Sequence, residues 1–206
     1  LSPSGKRKTR KNKSYQAARL DTATPLVASG QEHVDKPETP AKRDYALGLH
    51  VPARFDRIVE ISECHVQDPI GNKILQFIRS RCEDFKLEAY DSVNASGYMR
   101  NVGIRSARNA ADELEIMVNL MTGLCEVPGR LVPLAEELLS KFPSIVSVVQ
   151  NMPSVASNVA VDPSLQRLLA GERAYLEQKL CGLSFESSAN SFFQTNSYQA
   201  EKLYNE

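Results

Sequence analysis

Residues 190–196, with the sequence NSFFQTN, hold the side chains of this chain that are best suited to recognition chemistry. They follow a strand-like run at residues 182–186, and they place two aromatic rings and several side-chain amides at the boundary of a secondary-structure element. Such boundaries often carry recognition groups, because a rigid scaffold positions side chains that the loop exposes. The same residue types also suit a structural role, with the rings as core anchors and the polar side chains capping a helix. Residue type alone leaves both interpretations open.

The histidines, cysteines and glycines predict no self-contained catalytic centre. The histidines share no metal-ligand spacing, the cysteines form no CxxC pair, and no glycine-rich phosphate loop follows a strand. Cys64 and His65 are adjacent, and on a strand their side chains would point to opposite faces, so this pair is not expected to bind one metal. The cysteines are expected to be free, buried thiols. The residues concerned are His33, His50, His65, Cys64, Cys82, Cys125 and Cys181.

The overall charge gives no argument for a nucleic-acid, membrane or acidic partner. Lys+Arg and Asp+Glu both number 25, which makes the chain formally neutral, so any such signal must be local. Hydrophobic residues make up 42% of the chain, which is enough for one core. No apolar run approaches the roughly 20 residues of a membrane span. We therefore expect a protein of the cytoplasm, or of an organelle matrix, that does not enter a membrane.

Residues 1–44 differ in composition from the rest of the chain. Six Lys and Arg residues lie within positions 6–13, and a stretch rich in Ala, Thr, Ser and Pro follows. A segment with so few large apolar side chains is expected to pack poorly. The basic run suits contact with RNA phosphates, but a solvated tail explains it equally well.

Residues 45–190 are predicted to form a central α+β domain, a largely antiparallel sheet with two main helices packed on it. The first helix should follow Asp68-Pro69, since Asp caps a helix start and Pro suits its first turn. Residues 191–206 follow this domain, and they are predicted to hold the first turns of a short helix. Strands are predicted at 46–50, 55–61, 99–106, 114–120, 145–149, 156–161, 174–180 and 183–186, and the later helices at 131–142 and 197–205.

Four stretches, in order along the chain, resemble the signature of the RNA 5-methyluridine (uracil-5-) methyltransferases. The resemblance extends over residues 45–206, and it implies that residues 191–206 begin a further domain, which binds the methyl donor. It also implies S-adenosylmethionine-dependent methylation of a uridine in ribosomal or transfer RNA. The four stretches are ALGLHVPARFD at 46–56, ECHVQ at 63–67, RNVGIR with MVNL at 100–120, and NSFFQTN with QAEKLY at 190–204.

The resemblance also implies roles for individual residues. Gln194 stands where the family places a glutamine that contacts S-adenosylmethionine, and Phe192 where an aromatic ring lies beside the flipped-out target base. Arg100 and Arg105 are candidates for contacts with RNA phosphates, although salt bridges on a sheet face would explain them as well. Cys64 resembles the fourth ligand of an iron–sulfur cluster found in a subset of the family, but the other three ligands have no counterpart here, so no cluster is expected.

The chain also departs from the family pattern. Ala189 replaces the proline that usually precedes this run, and residues 9–13 are at best a degenerate form of the family's Tyr-Arg-Asn-Lys. The family's donor loop, its cysteine nucleophile and its base lie beyond the segment that this chain resembles. We therefore expect a fragment that lacks the catalytic half, has no catalytic residue of its own and is inactive alone. A non-catalytic RNA-binding or ribosome-assembly module, or a purely structural domain with a basic tail, is the alternative.

Overall fold

The computed structural model describes residues 46–91, 93–123, 129–152 and 165–206, and in these it has α+β architecture, as predicted. The basic segment 1–44, Cys125 and the predicted strand at 156–161 lie outside the described residues. Within the described ranges no helix is long and apolar enough to cross a membrane. The elements are β1 (Gly48–Val51), β2 (Arg54–Glu60), α1 (Pro69–Asp84), β3 (Met99–Arg108), β4 (Leu114–Thr122), α2 (Val132–Lys141), β5 (Ile145–Asn151), β6 (Gln166–Gly171), β7 (Tyr175–Leu180), β8 (Leu183–Ser188) and α3 (Ser197–Tyr204).

The central sheet has four strands in the order β3-β4-β5-β6. The β3–β4 and β5–β6 pairs are antiparallel, whereas β4 and β5 are parallel. Because parallel neighbours need a long connection, the chain crosses from β4 to β5 through α2. β1–β2 and β7–β8 form two separate antiparallel hairpins. The strands are therefore mostly antiparallel, as predicted, but they belong to three sheets rather than one.

One face of the central sheet is closed by apolar packing against α1 and α2. Alternate residues of β4, namely Ile116, Val118 and Leu120, point towards the helices and are fully buried. The helices present buried side chains at helical spacing, as an amphipathic stripe should. Asp68 caps α1 by accepting a hydrogen bond from the Ile70 amide at 3.1 Å, as predicted. The buried helix residues of this core include Ile74, Ile78, Leu134, Ala135 and Leu138.

The opposite face of the sheet is covered by the β7–β8 hairpin. Only a small apolar cluster closes it, in which Leu176 of β7 packs against Met117 and Val149. The carboxylate of Glu115, also on this face, is buried, and it accepts hydrogen bonds from the Arg173 guanidinium at 2.5 Å and from the Glu177 amide at 3.0 Å. The NSFFQTN segment follows directly from β8 of this hairpin, and it contacts Arg105 of β3 and Gln166 of β6.

The β1–β2 hairpin is attached to α1 mainly through Arg79. Its guanidinium donates to the carbonyls of Leu47 at 2.6 Å and Ile61 at 3.0 Å, and it pairs with the Glu60 carboxylate at 2.9 Å. A cleft of about 820 Å³ lies between this hairpin, α1 and β3.

Candidate functional site

The NSFFQTN segment forms the connection between β8 and α3. It opens with a turn in which the Ser191 amide donates to the Ser188 carbonyl at 3.2 Å. It closes at Asn196, whose side-chain oxygen accepts from the Gln199 amide at 2.9 Å and caps α3. The capping role considered for the polar end of this run is therefore correct for Asn196.

The two neighbouring phenylalanines have different environments. Phe193 is half-buried, and its ring meets the ring of Phe185 edge-on, with 5.8 Å between the centroids. Phe192 is 86% exposed. One ring packs against β8 while the other faces solvent. The core-anchor role considered for both rings is therefore wrong for Phe192, and Phe193 packs on Phe185, a residue that is itself 40% exposed.

Gln194 is also exposed, and its amide makes no hydrogen bond to the part of the chain that the structure describes. The segment thus presents an aromatic face and a free amide, two residues apart, to solvent. Further large apolar side chains are exposed on the two elements that flank it. They are Leu183 and Phe185 of β8, and Tyr198, Leu203 and Tyr204 of α3. Exposed apolar groups concentrated in one region mark contact surfaces more often than single ones do.

Arg105 of β3 lies beneath this segment. Its Nη1 donates to the carbonyl of Ser188 and, at 3.5 Å, to the hydroxyl of Ser187, and its Nη2 donates to the carbonyl of Ser191 at 2.6 Å. The guanidinium is half-buried, and this burial lowers the pKa of Arg105 from its ordinary value. Within the described residues it has no carboxylate partner. The structure therefore gives Arg105 backbone partners in the turn, while its predicted contact with RNA stays a prediction.

Arg100 has different surroundings, although it lies on the same strand. Its guanidinium carbon is 4.4 Å from the centroid of the Tyr90 ring, a cation–π contact. Arg100 lines the cleft between β3 and the β1–β2 hairpin. The structure therefore does not bring the two candidate RNA-binding arginines to one surface, and neither forms the salt bridge considered for it among the described residues.

Cys64 and His65 do not belong to a metal site among the described residues. Cys64 and His65 lie in the loop between β2 and α1, so the strand geometry assumed for them is wrong. The backbone of Cys64 is held by Asn72, whose side chain accepts from the Cys64 amide at 2.9 Å and donates to its carbonyl at 3.3 Å. In the described ranges no group of three or more His, Cys, Asp or Glu residues is placed to hold a metal ion.

The described cysteines differ in burial. Cys82 is buried in the helix-side core, and burial raises the pKa of its thiol to about 11. Cys181, in the turn between β7 and β8, is exposed. The expectation of buried thiols is correct for Cys82 and wrong for Cys181, and Cys64 is only partly buried.

The sequence did not predict that Arg105 donates hydrogen bonds to the backbone carbonyls of Ser188 and Ser191. One signal was present: Arg105 is two residues from Ala107, which is buried against the β7–β8 hairpin. Residues two apart on a strand share a face, so an arginine in phase with a buried residue points under the covering element. The carbonyl partners at Ser188 and Ser191 carry no sequence signal, because any residue supplies a carbonyl.

Comparison with known proteins gives the family. No family model matches the chain. It is 33% identical over 181 residues to an uncharacterized RNA methyltransferase of Porphyromonas gingivalis, an alignment that covers 87% of this chain and 37% of the relative. It is 28% identical over 176 residues to one of Chlorobaculum tepidum, covering 85% of this chain and 35% of that protein. The chain thus spans about a third of the length of the curated relatives that it matches.

A solved structure shares the fold. It is the tRNA (uracil-54, C5)-methyltransferase of Pyrococcus abyssi in complex with S-adenosyl-L-homocysteine, with a TM-score of 0.61 and 23% identity over 77% of this chain and 36% of that one. The fold and the sequence similarity agree with the resemblance of the motifs. The chain belongs to the RNA methyltransferase family of these relatives.

Proposed function

We propose that this chain is the RNA-presenting segment of an S-adenosylmethionine-dependent RNA (uracil-5-)-methyltransferase that acts on ribosomal or transfer RNA in the cytoplasm. The observation that carries the proposal is the exposure of Phe192. Its exposed ring lies in a recognition-type loop whose flanking elements expose further large apolar side chains, and such a concentration of apolar groups is typical of a contact surface.

Phe192 is the stacking partner of the target base in this proposal. Enzymes that modify a base inside structured RNA take it out of its stack, which removes its contacts with neighbouring bases. A free aromatic face replaces that contact, and such stacking contributes about 1–3 kcal/mol per base. The ring of Phe193 is already engaged with Phe185, so Phe192 has the free face in this pair.

Gln194 is the residue that meets S-adenosylmethionine, which supplies a methyl group bound to a positively charged sulfur. A side-chain amide offers both a donor and an acceptor, and neither group of Gln194 is engaged by the described residues. The side chain therefore fits one contact with the methyl donor. Further contacts have to come from the parts of these relatives that the chain does not span.

The chemical step also has to come from those parts. Attack by a cysteine thiolate on C6 of uracil makes C5 nucleophilic, and none of the four cysteines matches that nucleophile in the family's motif. Cys82 is buried with a raised pKa, which disfavours the thiolate. The 206-residue chain alone should transfer no methyl group from a labelled donor to uridine-containing RNA. Turnover above background would contradict this division of roles.

RNA binding tests the proposal directly. Filter binding of a uridine-containing RNA hairpin should show affinity that falls with salt, because phosphate contacts release counterions. Phe192→Ala should weaken binding by about tenfold, the lower part of the stacking range. Val66→Ala is a matched control, since Val66 is an exposed apolar residue in the loop between β2 and α1. The proposal fails if wild type does not bind RNA, or if the two variants bind equally well.

A further inference from the structure

The Arg105 guanidinium joins the central sheet to the turn that opens the NSFFQTN segment. Both of its terminal nitrogens donate to this turn, one to the Ser188 carbonyl and the other to the Ser191 carbonyl. These carbonyls belong to the first and last residues of the turn. Phe192 follows Ser191 directly, and Gln194 follows two residues later. The position of the Arg105 guanidinium is therefore linked to the position of the backbone from which Phe192 and Gln194 extend.

The partners of Arg105 suit a positioning role better than a role in binding phosphate. Its donors are engaged with backbone and hydroxyl oxygens, so a phosphate would have to displace them. Such hydrogen bonds from a charged donor are stronger than neutral ones, and two in parallel fix orientation as well as distance. A lysine would keep the charge but not the planar fork.

The turn has other contacts that keep it folded without Arg105. The hydroxyls of Ser188 and Ser191 lie 2.7 Å apart, and the Asn190 side chain donates to the Gln166 side chain at 3.0 Å. Loss of the guanidinium should therefore loosen the turn rather than unfold the hairpin. This separation makes the role of Arg105 measurable in a folded protein.

We infer that Arg105 is a positioning residue, which holds the 188–191 turn so that Phe192 and Gln194 face the RNA and the methyl donor. The inference deepens the proposed function and rests on it for the identity of the ligands. It assigns Arg105 to the backbone of its own chain rather than to RNA phosphate. Arg105 acts through Phe192, so it has no share of its own in the electrostatic binding of RNA.

The first test needs no ligand and uses the whole chain. The Ser191 amide donates to the same Ser188 carbonyl that accepts from Arg105, so its hydrogen exchange, followed by NMR, reports the order of the turn. Arg105→Met and Arg105→Lys should both speed this exchange by about tenfold, since neither has the planar guanidinium that bonds the Ser188 and Ser191 carbonyls together. Arg108→Met is the matched control, because Arg108 is on the same strand and its Nη1 bonds the Asp112 carbonyl at the far turn. Exchange at the rate of this control in both variants would overturn the inference.

The second test separates positioning from phosphate contact. We expect Arg105→Met and Arg105→Lys to weaken binding of the RNA hairpin by a similar factor of about ten, with an unchanged slope of log affinity against log salt. A phosphate contact predicts instead that the slope falls by about one in Arg105→Met and that Arg105→Lys keeps most of the affinity. That pattern would overturn the inference while leaving RNA binding, and so the proposed function, intact.

A double-mutant cycle then tests whether Arg105 acts through Phe192. If it does, Arg105→Met should have little further effect on RNA affinity in a Phe192→Ala background, because the side chain that it positions is gone. Additive losses would overturn the inference. Failure of wild type to bind RNA would instead refute the proposed function, and the exchange test would still decide whether Arg105 holds the turn.

Discussion

The two faces of the central sheet are closed in different ways. On the face towards α1 and α2, a continuous core of Ile and Leu side chains excludes water. On the other face a small apolar cluster is supplemented by the polar groups of Glu115, Arg173 and Arg105. Apolar packing tolerates small shifts, whereas hydrogen bonds fix direction. On the face that carries the candidate site, hydrogen bonds fix the orientation of the covering hairpin. We therefore expect single polar substitutions to have larger effects on this face than on the helix side.

The helix-side core should give the largest effect on stability. Leu138→Ala removes a fully buried side chain of α2 and should lower the free energy of unfolding by about 2–5 kcal/mol, since the transfer and cavity terms add. Urea denaturation measures this value. Glu136→Ala, at an exposed position of the same helix, should change stability by less than about 0.5 kcal/mol. Equal effects of the two substitutions would contradict the description of this face.

The hairpin face should respond to a single polar change. Glu115→Gln keeps the size of the buried side chain but removes the charge that faces Arg173, and we expect a loss of about 1–3 kcal/mol. Glu113→Gln is the control, because Glu113 is an exposed acid close by. The same denaturation experiment measures both. A neutral result for Glu115→Gln would mean that apolar contacts alone hold the hairpin.

The buried thiol of Cys82 should make the stability of the protein depend on pH in the alkaline range. Burial raises the folded pKa of this thiol from 9.0 to about 11, so the folded state holds its proton more tightly than the unfolded state does. The resulting stabilisation is complete below the unfolded pKa and is lost as pH rises through the folded pKa. Between about pH 9 and 10.5, wild type should lose about 1.5 kcal/mol more stability than Cys82→Ala. If the free energy of unfolding fell equally with pH in both proteins, the Cys82 thiol would not be shielded from water in the folded state.

The capping residue of α3 should give the smallest effect. Asn196→Ala removes the acceptor of the Gln199 amide and should destabilise this helix by about 1 kcal/mol. Because α3 has only eight residues, we expect faster hydrogen exchange within it and little change in global unfolding. Asn196→Ser, which keeps a capping oxygen, should restore most of the protection. A global loss larger than that of Glu115→Gln would mean that this cap stabilises the whole domain and not only α3.

Local sequence patterns predicted most of the elements. Strands that alternate between a covered and an exposed face, and the Asp68-Pro69 start of α1, have signals within a few residues. β6 was missed, because its central residues Leu168 and Leu169 interrupt alternation and its partner strand has a register shift at Val148 and Val149. The division into three sheets also escaped prediction, since the choice of strand partner depends on residues far apart in the chain.

The candidate site was located by its motif, but its geometry was not. The sequence singled out the segment from 190 to 196, and it left open whether the polar side chains there cap a helix or bind a ligand. It did not predict which of two adjacent phenylalanines would be exposed. The partners of Arg105 lie 82 to 86 residues away along the chain, so only the folded structure could reveal them.

The parallel pairing of β4 with β5 has a consequence for the order in which the protein folds. The register that joins Val118 to Val148 can form only after the intervening chain, with α2, has turned back across the sheet. Closing so long a connection costs entropy before any pairing energy is gained, which slows folding relative to a hairpin. The β7–β8 hairpin forms locally, but the surface on which it rests exists only once β4 and β5 have met. The NSFFQTN segment, and the hydrogen bonds from Arg105 to the 188–191 turn, should therefore become ordered last.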